Sequence, residues 1–389
     1  MTGPAQAPDV AVVGAGIVGA ACAYFLARQG ARVQVFERGH VACGTSSACE
    51  GNILAWDKEL ARELPLALRS AELWATLAHE LGRAFEYDRK GSIVVAETEA
   101  ELAAAHERAA VLASRGVAGE TLDAAALREA EPHSAPDLPG GVLYPGDAQL
   151  EPRLATVALA EAAVEAGAAI QTGVDVERIV RDERGRATGV QAAAGPVAAD
   201  AVVVAAGVWT PALLARSGLS VPVTPRKGQI VVAERSPVRF ARKLSEAGYL
   251  SAVESDEGAL QVAMVVESTA SGTTLLGSSR EHQGFRCDVD IPVAAAIARR
   301  AARFFPVLGE AQVIRIYAGL RPLSPDHLPI IGPLRDADNV CVATGHEGAG
   351  IALAPATGEL VAACYAGAQT AVPAGWFSPD RFEQATVAR

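Results

Sequence analysis

Six residues near the N-terminus, Gly14-Ala15-Gly16-Ile17-Val18-Gly19, have the types and spacing needed to hold a pyrophosphate. In such a turn the first glycine permits a tight reversal. The second lets backbone N–H groups reach the phosphates with no side chain between, and the third lets the following helix pack on the strand. Glu37 follows one helix and one strand later, where a carboxylate would accept hydrogen bonds from ribose hydroxyls and repel a 2′-phosphate. Together these groups would bind the ADP half of a dinucleotide, and by themselves they do not separate a nicotinamide cofactor from a flavin.

The turn carries this meaning only between a strand and a helix, and the hydropathy supplies both. Residues 9–13 read as a strand, 17–28 as a helix and 32–37 as a second strand, a βαβ opening. A loop of small polar residues covers 43–52, and a helix is expected over 60–81, followed by strands within 85–97. Helices are expected at 98–115 and 123–131, with a Pro- and Gly-rich break at 132–141. From Pro152 a second α/β unit starts: a helix to 167, strands at 169–172 and 176–189, and an apolar strand at 201–206. Alternating Val, Ile and Thr between 221 and 276 predicts antiparallel sheet. A helix at 292–304, strands at 315–319 and 340–343, and a helix from about Gly350 complete the pattern.

At 389 residues the chain exceeds one simple core, so two domains are expected. Half the residues are hydrophobic and 20% are charged, which suits packed cores and excludes long disordered tails. A net charge of -11 argues against nucleic acid or anionic lipid as a general partner, so any bound anion needs a local site. No apolar run is long enough to span a bilayer, and residues 1–9 lack a signal-peptide pattern, so a cytoplasmic protein is expected. The six cysteines (Cys22, Cys43, Cys49, Cys287, Cys341 and Cys364) include no CxxC pair, so neither a disulfide framework nor a metal site is signalled.

Four separated segments resemble the D-amino-acid oxidase superfamily of FAD-dependent amine oxidoreductases, in particular its glycine oxidase, opine oxidase and hydrogen cyanide synthase branch. They are VVGAGIVGA with VFER, the loop CGTSSACEGN, VVVAAGVWTP at 202–211, and the C-terminal pair GLRPLSPDHLPIIGP and ATGHEGAGIALAPATGEL. The resemblance implies FAD as cofactor, with Arg38 beside Glu37, and with Gly44, Thr45, Ser46, Gly51, Asn52 and Ile53 of the loop along the dinucleotide and flavin. Thr45 and Ser46 have hydroxyls able to donate to phosphate or ribitol. It also implies cofactor contacts at Val176, Ala206, Gly207 and Trp209. Gly319, Gly345, His346, Gly348, Gly350 and Ile351 belong to the flavin end, where a helix N-terminus would stabilise negative charge at N1 and the C2 carbonyl. Relatives that attach flavin covalently use a cysteine in the C-terminal loop or a histidine in the N-terminal one. Residues 344–350 contain no cysteine, and His40 stands only at the edge of the N-terminal loop, so a noncovalent FAD is expected.

Arg321 aligns with the arginine that binds the substrate carboxylate in amino-acid-oxidising members, and its planar fork suits that group. Without the resemblance, a salt bridge to one of the 45 acidic residues would be the commoner role. His346 is more consistent with lining the flavin than with acting as a base, because the family's chemistry is hydride loss from the α-carbon to flavin N5. Tyr249 and Met264, on the antiparallel region, are candidates for the substrate side, against the alternative that they belong to the core. Cys43 and Cys49 flank the loop and read as inert thiols.

The expected fold is α/β. A discontinuous Rossmann-like FAD domain is formed by 1–82, 142–220 and 309–389, and an antiparallel-sheet substrate domain with helices by 83–141 and 221–308. The expected activity is oxidation of the C–N bond of a small amino acid or N-substituted amino acid to an imine, which water hydrolyses. An enzyme-class alternative is the flavin subunit of a larger amine dehydrogenase that passes electrons to an iron–sulfur partner or a quinone. Another alternative is a noncatalytic FAD-bound interaction protein.

Overall fold

The computed structural model describes residues 7–82, 85–235, 238–249 and 260–382. Part of the expected antiparallel region, 250–259, lies outside the described residues, as do the two ends of the expected FAD domain at 1–6 and 383–389.

The unbroken apolar runs become the centre of a six-stranded sheet. Its order is Ile330–Leu334, Ala337–Thr344, Ala201–Val204, Val10–Val13, Val33–Glu37, Ala169–Thr172. Every pair is parallel except the first. Alternate residues enter opposite cores: Val10, Val12 and Val203 face the helical layer, while Ala11, Val202 and Val204 face the other side. Burial on both faces is why these strands read as continuous apolar runs. Helices Ile17–Arg28, Pro152–Glu165 and Gly350–Tyr365 cover the first face. The second is covered by a small sheet of Val176–Arg181, Ala187–Ala192 and Gly195–Ala198, three strands where the sequence predicts a pair.

The helix Gly350–Tyr365 contains Pro355, which has no N–H to give to the carbonyl of Ile351 four residues earlier. The neighbouring helix Glu63–Glu80 repairs the ladder. Trp74 Nε1 donates to Ile351 O at 3.0 Å, and Ser70 Oγ donates to Ala352 O at 2.5 Å. The first turn of the C-terminal helix is thus fixed from outside, by side chains that sequence periodicity places only as a buried stripe.

The second sheet has eight strands in the order Val313–Leu323, Thr224–Ala233, Thr274–Arg280, Gln261–Ser268, Lys243–Glu246, Ser92–Ala96, Gly140–Tyr144, Glu120–Asp123. All pairs are antiparallel except Lys243–Glu246 with Ser92–Ala96. The helix Ile291–Phe304 buries Val293, Ile297, Ala301 and Phe304 against one face, together with Met264 and Val266. Met264 is fully buried in that core, which corrects its candidacy for the substrate side.

Two strands sit differently from the expected division. Val313–Leu323 pairs along its length with Thr224–Ala233, so the chain leaves the second sheet only after 323, past the expected boundary at 309. Gly140–Tyr144 likewise pairs with Ser92–Ala96, so the second sheet extends beyond 142. Both shifts arise from pairings between distant segments. The fold is α/β, with a mainly parallel sheet joined to a mainly antiparallel one.

Candidate active site

The turn after the first strand is shaped by close backbone approaches. Gly14 has φ +106°, and a Cβ there would lie 2.6 Å from the carbonyl oxygen of Ala205. A Cβ on Gly19 would lie 2.0 Å from the oxygen of Gly14. Both glycines are required by the backbone itself, the first for the reversal and the third for helix-on-strand contact. Gly16 ends against Ser46, whose Oγ accepts from Ile17 N at 3.0 Å and keeps its own proton to donate. Glu37 accepts from Ala15 N at 2.9 Å and from Gly39 N at 2.8 Å, and the Cys43 thiol points to the same carboxylate at 3.4 Å. A carboxylate has about four acceptor positions, so one, on Oε2, remains for a ribose hydroxyl, and a second opens if the weak thiol contact gives way.

These groups open onto one continuous cleft of about 420 Å³, which runs from Gly14, Glu37 and Val176 to Arg321 and Ile351. Its middle is bounded by the loop 43–52 and by Ala206, Gly207 and Trp209. The Arg38 guanidinium lies 4.1 Å over the Trp209 ring, and Gly44 leaves room for the edge of that ring. Thr45 differs from expectation. Its hydroxyl donates to the carbonyl of Leu320 at 2.7 Å, which ties the loop to the strand Val313–Leu323 instead of leaving that proton for a phosphate. Gly319 allows the contact, since a Cβ there would lie 2.7 Å from Ala48 O.

Most of the candidate cofactor residues lie on the cleft wall, including Val18, Asn52, Gly348 and Gly350. Five stand behind it: Ala15, Gly19, Gly51, Ile53 and Gly345. Gly51 is required by Leu150, whose carbonyl oxygen would sit 1.6 Å from an added Cβ, and Ile53 packs in the helical core. Gly345 has φ +72° and turns the chain from strand to helix.

At the far end, the helix Gly350–Tyr365 opens onto the cleft with no side-chain cap at its N-cap, Ala349. First-turn amides have no acceptor inside a helix, so this end can receive a polar or anionic group. His346 is buried on the wall, and its Nε2 meets Thr357 Oγ1 at 3.0 Å. The Thr357 hydroxyl donates to Leu353 O at 2.9 Å, so Nε2 carries the hydrogen towards it. Burial pulls the imidazole down to about 3, so it is neutral at physiological pH.

Arg321 projects between the two ends of this arrangement. Nη1 donates to Ser279 O at 2.9 Å, and the guanidinium crosses Gly228 so closely that a Cβ there would lie 2.1 Å from Nη1. Burial first, and then repulsion from Arg280, pull Arg321 down to about 10, which still leaves it charged at neutral pH. Tyr249 shares the wall, with its ring 5.9 Å from that of Trp56 and beneath the Arg280 guanidinium at 4.6 Å. Glu347 is taken up by Arg226 Nη1 at 2.7 Å and His327 Nδ1 at 3.1 Å. Burial pushes its carboxyl up, but His327, Arg280 and Arg226 outweigh this and hold it below the usual carboxylate range. Lys243 pairs with Glu267 at 2.8 Å and Glu50 at 3.4 Å.

Gly228, Arg226 and Arg280 lie in no motif that marks them from sequence, and Glu50 and Glu347 lie inside CGTSSACEGN and ATGHEGAGIALAPATGEL without being singled out there. Gly228 offers the nearest signal, a glycine inside a strand, just before the β-branched run Ile230-Val231-Val232. Cys43 and Cys49 both touch the cleft, and burial raises both thiols, consistent with inert sulfur.

The site suits FAD on its own geometry: a glycine turn with no room for Cβ atoms, a carboxylate aimed at a diol, and an uncapped helix end at the other extremity. Comparison with known proteins agrees. The family model described as DAO, FAD dependent oxidoreductase, matches residues 9–364. The glycine oxidase of Geobacillus kaustophilus is 33% identical, covering 96% of this chain and 97% of its own length. The crystal structure of glycine oxidase from that organism superimposes with TM-score 0.85 at 31% identity, covering 95% of this chain and 98% of the other. The D-amino acid dehydrogenase of Methylobacterium nodulans is 31% identical, over 91% of this chain and 94% of its own. The hydrogen cyanide synthase subunit HcnC of Pseudomonas aeruginosa is 29% identical, over 91% of both. The chain therefore belongs to the D-amino-acid oxidase family of FAD-dependent oxidoreductases that act on CH–NH donors.

Proposed function

We propose that the protein oxidises the C–N bond of a small amino acid or N-substituted amino acid to an imine, which water then hydrolyses to the oxo acid and the amine. The observation that carries this is Arg321, a charged fork on the cleft wall, with Gly348 beside its Nε and no carboxylate of the protein paired to it among the described residues. A carboxylate bound there bidentately would place the substrate's α-carbon a short distance along the cleft, near the turn from Gly345 to Ile351. FAD held in this cleft would supply the two-electron acceptor for the hydrogen lost from the α-carbon. The protein's share is binding and orientation. Arg321 fixes the carboxylate, Tyr249 closes the substrate side, and the uncapped end of Gly350–Tyr365 on the cleft wall would support negative charge on a reduced cofactor held there. The neutral His346 holds the turn through Thr357 and takes no proton.

The test is an anaerobic screen of glycine, sarcosine, D-amino acids, D-proline derivatives and opines against the FAD-loaded protein. Bleaching of the flavin band near ~450 nm by at least one amine is expected. If none bleaches it, the enzymatic assignment fails. Adding air afterwards separates oxidase from dehydrogenase: stoichiometric peroxide marks dioxygen as acceptor. Brisk dye reduction with little peroxide would favour an iron–sulfur partner or a quinone.

A further inference from the structure

The charges around the substrate end do not balance. Among the described residues, Arg226 is matched by Glu347, and Lys243 by Glu267 and Glu50. Arg321 and Arg280 are matched by no carboxylate. Arg321 has only the Ser279 carbonyl, and Arg280, 3% exposed, leaves both Nε and Nη1 buried without any hydrogen-bond partner. Glu347 is near enough to feel Arg280, but its hydrogen bonds go to Arg226 and His327 and none joins it to Arg280.

A buried guanidinium with two orphaned donors is expensive unless something else satisfies it. The Tyr249 face beneath Arg280 supplies a weak attraction and no acceptor in its plane. Tyr249 and Ser278 form part of the cleft wall, and Arg280, two residues along the strand from Ser278 with its guanidinium on the Tyr249 ring, packs against the back of that wall at the substrate end. Arg280 and Arg321 repel one another, and a single carboxylate accepted by Arg321 would neutralise one charge of the two.

We propose that the substrate is a dicarboxylic amine, whose α-carboxylate binds Arg321 and whose second carboxylate binds Arg280. This rests on the amine-oxidising reading above. The second carboxylate can be carried in two ways, on the far side of the amine nitrogen or at the end of a short side chain. In either form Arg280 is a specificity residue: it selects the second anion and takes no part in bond breaking.

Binding is read first on the FAD-loaded protein by the perturbation of the flavin spectrum, using acids that cannot be oxidised. Malonate and succinate should bind at least tenfold more tightly than acetate and propionate. Replacing Arg280 by Met should erase most of that ratio, and Arg280→Lys should restore part of it. Equal affinities for mono- and dicarboxylates in the unaltered protein would overturn the proposal, and that comparison needs no variant to fold. Turnover then separates the two sources: iminodiacetate against sarcosine tests the nitrogen-linked carboxylate, and D-aspartate against D-alanine the side-chain one. Tight dicarboxylate binding with no amine oxidised would sink the proposed reaction and leave the two-carboxylate site standing. Amine oxidation with no dicarboxylate preference would do the reverse.

Discussion

Arg321 keeps its charge in surroundings that oppose it, because burial and a neighbouring cation both pull its acidity towards about 10. A group held in this way gains from an incoming anion, and its removal takes away binding rather than cofactor contact. Arg321→Ala is expected to lose about 2–5 kcal/mol of carboxylate binding, a rise in KM of roughly 30-fold or more with flavin content unchanged. Steady-state kinetics with the best amine from the screen would show this, and an unaltered KM would refute the anchor. Arg321 was legible in the sequence because it sits in a recognisable run, Gly319-Leu320-Arg321-Pro322. Arg280 was not, since nothing local distinguishes it among the 34 basic residues until the sheet brings it over Tyr249. Thr45 shows the opposite failure. Its residue type suggested a phosphate donor, and a strand 275 positions away in sequence took the proton instead.

The elements nearest the N-terminus read clearly from sequence because their geometry is local: strand, turn and helix follow one another, and the glycine spacing has a steric cause. Gly19→Ala therefore tests an element rather than a contact. The added Cβ meets backbone on the preceding turn at 2.0 Å, so helix and strand must part. FAD affinity is expected to fall at least tenfold, about 1.4 kcal/mol, in a titration of the apoprotein with FAD. An unchanged dissociation constant would mean that the turn does not set the cofactor site. Elements of the second sheet were harder to read. The sequence marked only 315–319 of the strand Val313–Leu323, whose extent depends on pairing with Thr224–Ala233. Met264 shares the parity of Val262 and Val266, and which face that parity meets is decided by the helix Ile291–Phe304. Alternation gives a strand two faces without saying which one is covered.

At the scale of the whole molecule, the cleft draws on both sheets. Glu37 comes from the parallel one and Gly207 from the turn that follows its strand Ala201–Val204, while Gly228, Ser278 and Arg321 come from the antiparallel one. A dinucleotide lying there would touch both halves and would brace them against one another as well as serve as reagent. With raised thiols at Cys43 and Cys49 and no cysteine on the turn from Gly345 to Gly350, nothing invites a covalent bond to the ring. Acid precipitation is expected to leave essentially all of the yellow colour in the supernatant. Flavin retained in the washed pellet would contradict the noncovalent assignment. Among the described residues no helix is long and apolar enough to cross a membrane.

The indole that repairs the Pro355 gap has a further use. Trp74 is bonded to the carbonyl of Ile351, a residue of the cleft wall, while Trp209 forms part of that wall and Trp56 packs against Tyr249. Three of the four tryptophans thus stand on or close behind the wall of the cleft that would hold FAD, and flavins absorb at the wavelengths at which tryptophan emits. The protein consequently carries its own optical gauge of cofactor occupancy: its ultraviolet fluorescence is dim when loaded and brightens as FAD departs, with no label and no turnover required.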